Sequence, residues 1–137
     1  MADVPPTILW SVVRKGHAYM KKRNGACFST EPRNLSGLHR FKDSGLAQKR
    51  AVGMTTKDKQ IVMTLATDAT NKPAASVKDV VLQHERSPAS TINEETAKSF
   101  YRPDLRATAL ARHYRLRTAA RTRSGKPAPP RGIPRRH

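Results

Sequence analysis

The spacing of apolar positions changes repeatedly along this chain, and each change marks an expected element. Asp3, Val4, Pro5 and Pro6 form a helix start with proline in the first turn. Ile8, Leu9, Val12 and Val13 then share one face, with Trp10 beside them, until Gly16 ends the run. Trp10 is expected to anchor this short helix on a sheet. His17 to Arg23 and Ala26 to Glu31 flank Asn24-Gly25, a strong hairpin signal because both turn positions need positive φ. Tyr19, Cys27 and Phe28 supply its apolar side chains. Pro32 stops the second strand, and Arg33 to Gly45 reads as a loop anchored by Leu35, Leu38 and Phe41. A second hairpin is expected from Gln48 to Thr55 and Gln60 to Thr67, joined by Thr56 to Lys59. Its return strand is apolar on both sides (Ile61, Val62, Met63, Leu65), as a central strand covered on each face would be.

Beyond that hairpin the pattern loosens. Asp68 to Pro73 is polar and turn-rich, and Val77, Val80, Val81 and Leu82 fit either a last strand or a short helix. Thr91 or Asn93 can cap a short helix running to Phe100, with Glu94 and Glu95 in its first turn. Tyr101-Arg102-Pro103 then separates it from a longer one. Pro103 suits a first helical position, Asp104 puts a carboxylate at the positive end of the helix dipole, and no Gly or Pro intervenes before Arg121. At 3.6 residues per turn Leu105, Ala109 and Leu116 form a narrow stripe. Arg102, Arg106, Arg117 and Arg121 gather on a second face, Arg112 and Arg115 on a third. The last residues, SGKPAPPRGIPRRH, are too rich in Pro, Gly and Arg to bury a core, and extended chain that orders on binding is expected there.

These elements predict an α+β fold: a small antiparallel sheet of two β-hairpins, packed with a short N-terminal helix and C-terminal helices, and followed by a basic extended tail. The expected division is a small α+β domain over 1–100, an arginine-rich helix over 101–122 and an Arg/Pro tail over 123–137. With 36% hydrophobic residues in a chain of 137, the core must be small.

Charge changes the picture more than hydropathy does. The formal net charge is +17, and polyanions are the natural partner of so much uncompensated positive charge. It is unevenly placed: residues 102–137 hold eleven basic groups against Asp104 alone, and ten of those eleven are Arg. The planar guanidinium pairs two-pronged with phosphate and stacks on bases, which favours nucleic acid. Lys78 to Ser99 leans acidic, with Asp79, Glu85, Glu94 and Glu95, and is not expected to face phosphate.

Other chemistry is thinly represented. The histidines at 17, 39, 84, 113 and 137 have no ligand spacing with one another or with Cys27, and Gly125-Lys126 lacks the rest of a phosphate-cradling loop. Cys27, the single cysteine, reads as a small buried hydrophobe rather than a nucleophile. No enzyme activity, metal, cofactor or small-molecule substrate is expected. The first thirteen residues carry no basic group, unlike a secretory signal or a mitochondrial transit peptide, and apolar runs such as Ile61–Ala66 are too short to span a bilayer. A narrow Leu/Ala stripe gives the arginine helix little area to insert into a membrane surface. A cytosolic or nuclear protein is the expectation.

Nucleic-acid binding therefore remains. Arginines on several helix faces reach phosphates on more than one side, which suits folded RNA better than one groove of a duplex. A helix-turn-helix reading lacks the Asn and Gln of a base-reading face. The motifs add a family. In order they are W-S-V-V-R-K (Trp10–Lys15), K-R-N (Lys22–Asn24), F-S-T-E-P-R-N-L (Phe28–Leu35), S-G-L (Ser44–Leu46), K-R-A-V-G (Lys49–Gly53), K-P-A (Lys72–Ala74) and Y-R-P-D-L-R (Tyr101–Arg106). Over about residues 8–54 and 72–120 the chain resembles the eukaryote-specific large-subunit ribosomal protein twenty-eight family, distinct from the bacterial protein of that number.

The resemblance implies a structural, rRNA-binding component of the cytosolic large subunit, touching neighbouring ribosomal proteins and assembled in the nucleolus. A ribosome-assembly or regulatory factor using the same surface is the alternative. The expected phosphate contacts are Lys21, Lys22 and Arg23 at one hairpin tip and Lys49 and Arg50 at the other. With them come Arg102, Arg106, Arg112, Arg115, Arg117 and Arg121 of the helix, and Arg123, Lys126, Arg131, Arg135 and Arg136 of the tail.

Overall fold

Five strands and three helices make up the residues that the computed structural model describes, 4–58, 60–66, 77–82 and 88–125. In chain order they are α1 (Pro6–Val13), β1 (Met20–Arg23), β2 (Ala26–Ser29), β3 (Val52–Lys57), β4 (Gln60–Ala66), β5 (Val77–Leu82), α2 (Pro88–Asn93) and α3 (Arg106–Arg123). A 3₁₀ turn spans Phe41–Asp43, a π-helical turn, Glu94–Lys98, prolongs α2, and a second 3₁₀ turn, Pro103–Leu105, leads into α3. The class is α+β, as expected, but the two hairpins stand in separate antiparallel sheets, β1–β2 and β3–β4–β5. The turn-rich 68–73 segment and most of the tail lie outside the described residues.

Strand β4 is central, as its two-sided hydrophobicity requires. Its register sets Met54 opposite Met63 and Met63 opposite Val80, with Val52 against Leu65 and Ile61 against Leu82. Side chains alternate along each strand, so Val52, Met54, Ile61, Met63, Leu65, Val80 and Leu82 share one face. Ile92 of α2, together with Leu105 of the second 3₁₀ turn and Ala109 of α3, closes that face into the apolar core. On the opposite face Gly53 and Val62 are buried as well. A Cβ at Gly53 would strike the carbonyl of Pro32, so the chain after β2 passes too close for any other residue there.

The F-S-T-E-P-R-N-L segment folds that passing chain. Glu31 is buried, and its carboxylate accepts from Ser29 Oγ (2.6 Å), Ser44 Oγ (3.2 Å) and the Leu46 amide (3.1 Å). Asn34 accepts from the Gly37 amide at 2.8 Å and donates to Leu38 O at 3.0 Å, closing a tight turn. Leu35 reaches the core.

Several expectations are corrected. Trp10 does not anchor α1 on a sheet: no residue of α1 is buried, Ile8 and Val12 are 56% and 70% exposed, and Trp10 leans on His39 and Phe41 instead. Cys27 is exposed, as are its neighbours Ala26 and Phe28 in β2; only Ser29 of that strand is buried. Strand β3 begins at Val52 rather than Gln48, since Gln48 closes a turn through Ser44 O and Phe41 O. Of the two options for Val77–Leu82, the strand is realised. Helix α2 already starts at Pro88, which leaves Thr91 and Asn93 inside it rather than capping it.

Candidate nucleic-acid interface

Helix α3 is positioned by a clamp built from Y-R-P-D-L-R. Phe100 takes a left-handed φ of 50° and turns the chain out of the π turn. The Tyr101 hydroxyl donates to Ala66 O at the end of β4. Arg102 is not on α3, and its side chain is only 15% exposed. It forks onto Asp104 (Nε to Oδ1 2.9 Å, Nη2 to Oδ2 3.0 Å) and also donates to Arg50 O (2.7 Å) and Lys42 O (2.9 Å). The bond from Arg102, then the charges of Arg102 and Lys42, hold the Asp104 carboxyl below its usual range against the opposing effect of burial. Asp104 therefore serves the arginine before it and Lys42, 3.6 Å away, as much as the helix dipole.

From this clamp α3 runs out of the body. Leu105, Ala109 and His113 are buried and Leu116 is half-buried. His113 completes the seam that spacing alone had assigned to Leu105, Ala109 and Leu116. Its Nδ1 is shielded from solvent with no hydrogen-bond partner, and burial, then the charge of Arg117, holds the imidazole below its ordinary value. Residues 117–122 are all exposed. The last described turns of the helix thus touch nothing of the core.

At 100° per residue Arg106, Arg117 and Arg121 flank one side of the seam, and Arg115 stands on the far side. All four are exposed, and among the described residues none has an acidic partner. Arg106 and Arg121 stand about 22 Å apart along the axis. Arg112 departs from the expected third face: it lies at the edge of the seam, half-buried, with Nε shielded and unbonded. Arg123 is the last helical residue, and Lys126, Arg131, Arg135 and Arg136 fall outside the described residues.

The other basic positions divide. Lys21, Lys22 and Arg23 are exposed on β1 and run up to the Asn24-Gly25 turn, whose φ values are both positive. Lys49 and Arg50 do not form the tip of the second hairpin. They precede β3 at its opposite end, where Arg50 lies over the Tyr101 ring at 5.8 Å. That end opens on a shallow cleft lined by Pro6, Gln48, Lys49, Arg50, Tyr101 and Arg102. The acidic groups of the β5–α2 side are occupied locally: Asp79 by Lys57 (3.0 Å), Glu95 by Lys78 (2.9 Å) and Glu94 by Lys98 (3.6 Å). Among the described residues, His17, Glu31 and His39 are brought together in a way that their sequence spacing hides.

Clamp and loop are built from the same motifs that suggested a family, and the comparison with known proteins is decisive on that point. The sequence profile of the Ribosomal L28e protein family matches residues 8–119. The chain belongs to that family. Among its curated relatives is the large ribosomal subunit protein eL28 of Dictyostelium discoideum, 30% identical over 116 residues, which cover 84% of this chain and 88% of the relative. The protein of that name from Schizosaccharomyces pombe is 30% identical over 118 residues (80% and 88%), and that from Trypanosoma cruzi 31% over 104 residues (75% and 69%). The L28e match begins within α1 and ends in the exposed part of α3, so both sheets and the clamp lie inside the family's extent. No described helix is long and apolar enough to cross a membrane.

Proposed function

We propose that this chain is a non-enzymatic structural constituent of the large ribosomal subunit, assembled in the nucleolus and working in cytoplasmic ribosomes. In this reading it binds folded rRNA through arginine–phosphate contacts and touches neighbouring ribosomal proteins. The observation that carries the reading is α3 itself: a helix clamped to the core at one end and standing free at the other, with Arg106, Arg115, Arg117 and Arg121 exposed and unpaired by acids among the described residues. The basic residues from 123 onward add to these contacts, and their cations offset the repulsion of converging phosphates. Lys21, Lys22 and Arg23 form a second, smaller patch. Arg102 positions the helix rather than meeting phosphate.

The test replaces Arg106, Arg115, Arg117 and Arg121 together by Gln and measures binding to purified large-subunit rRNA across salt concentrations. Each lost phosphate contact should reduce the slope of log K against log salt by about 0.7–0.9. An unchanged slope in the folded variant would sink the proposal. Sedimentation separates a resident constituent, which co-migrates with translating ribosomes, from an assembly factor, which leaves before that stage.

A further inference from the structure

The N-terminal lobe lacks what holds the rest of the molecule together. No residue of α1, β1 or β2 belongs to the apolar core, and an isolated two-stranded hairpin is marginal in water. Small modules with so little core are commonly stapled by disulfides or a metal, and a chain with one cysteine has no internal disulfide to use.

Three side chains from separate segments converge where a staple would act. His17 precedes β1, Glu31 follows β2 and His39 lies in the loop beyond, and a ligand atom of each falls within 4.8 Å of the other two. His17 Nε2 and His39 Nδ1 are 3.3 Å apart. Two nitrogens bound at about 2.0–2.1 Å to a tetrahedral ion stand about 3.3 Å from each other. The other nitrogen of His39 meets Arg14 O at 3.1 Å, the kind of backbone partner that orients a metal-bound imidazole. Glu31 is 5% exposed, and among the described residues no Lys or Arg pairs with it. Its neighbours are two serine hydroxyls and one amide, which satisfy the oxygens but leave the charge unbalanced.

We propose that His17, Glu31 and His39 bind a zinc ion, with water in the fourth position, and that the ion staples the N-terminal lobe to the 33–47 loop. Two imidazoles and a carboxylate select zinc over calcium or magnesium, which prefer oxygen alone. In the metal-free chain one tautomer assignment satisfies the rings. The Tyr19 amide donates to His17 Nδ1 (3.2 Å), His17 Nε2–H to His39 Nδ1, and His39 Nε2–H to Arg14 O. Zinc takes the place of the bridging hydrogen, which moves to His17 Nδ1. The exposed Tyr19 amide then turns to water. The Glu31 side chain closes by at most about 1.5 Å to reach ligand spacing. His39 also stacks on Trp10 at 4.9 Å, so fixing it fixes α1.

The experiment titrates zinc chloride into the full chain by calorimetry at neutral pH, with cobalt(II) absorption reporting coordination geometry. One equivalent should bind, cobalt should give the intense visible bands of a four-coordinate site, and zinc should raise the melting temperature. His17→Ala and His39→Ala should each weaken zinc binding by about tenfold or more, beyond the lower range of even outer-shell losses, and abolish the thermal shift. Zinc binding of unchanged affinity in His17→Ala, an octahedral cobalt spectrum, or no binding by the parent chain overturns the proposal. Should His39→Ala fail to fold through loss of the Trp10 contact, His17→Ala and the cobalt spectrum of the parent chain decide it.

Discussion

Arg102 shows how a side chain expected among the phosphate contacts can be engaged within the fold. It sits in a run of arginines, yet its guanidinium is enclosed by Asp104, Arg50 O and Lys42 O. A planar fork makes these bonds together, and an ammonium cannot. Arg102→Ala should therefore lower stability by about 2–3 kcal/mol, the size expected for hydrogen bonds to a charged, mostly buried group, and Arg102→Lys should recover little of it. Denaturant unfolding measures both, while the salt slope of rRNA binding should stay unchanged in either variant that folds. The partner adds a pH signature. Asp104 titrates below its ordinary 3.8 when folded. The stabilisation is complete above that value and is lost as pH falls through the depressed one, a loss that Arg102→Ala should shrink to the part owed to Lys42 and the backbone. His113 has the same sign at higher pH. Its folded value lies below the ordinary 6.5, so stability is full above 6.5 and declines as pH falls from there through the depressed value. His113→Met keeps the volume, removes the unbonded Nδ1, and should flatten this decline at unchanged or slightly higher stability.

At the scale of elements, α3 is two things joined end to end. Its head contributes Ala109 to the core, beside Leu105 of the 3₁₀ turn before it, and its last turns contribute nothing to it. A cut at 102 would remove the clamp and two core residues, and lost RNA binding would then report only unfolding. A cut after Leu116 separates the roles. That truncation should stay folded, with stability lowered by about 1 kcal/mol at most because residues 117–122 are all exposed. It should still lose most of its rRNA affinity, read by filter binding and circular dichroism on the same sample. The sequence showed this helix well, because period and the Leu–Ala seam are local signals. The antiparallel hairpins and central β4 were legible for the same reason. The clamp was not, since Arg102 meets Arg50 and Lys42 across 52 and 60 residues of chain. Nor was the exposure of α1, whose apolar face looks like a core face until one asks what covers it. His113 could have been placed four residues after Ala109, on the seam, had a polar side chain been allowed there.

The whole molecule is a dense half and a sparse half. Strands β3–β5, α2 and the head of α3 share one core, while α1 and the β1–β2 ribbon hang on Glu31, the Trp10–His39 contact and a few backbone bonds. Local opening follows local burial, so the halves should exchange amide hydrogens at different rates. Without partner or metal, Met20–Ser29 should exchange about a hundredfold or more faster than Ile61–Leu65. The sparse half also carries Lys21, Lys22 and Arg23. A lobe with few contacts of its own and a cationic edge gains most from an external surface, because binding supplies the ordering that its core does not. Adding purified large-subunit rRNA should slow exchange over Met20–Ser29 far more than over β4. Uniform slowing across both halves would mean that the lobe takes no part in binding, and that α3 and the tail hold the RNA alone.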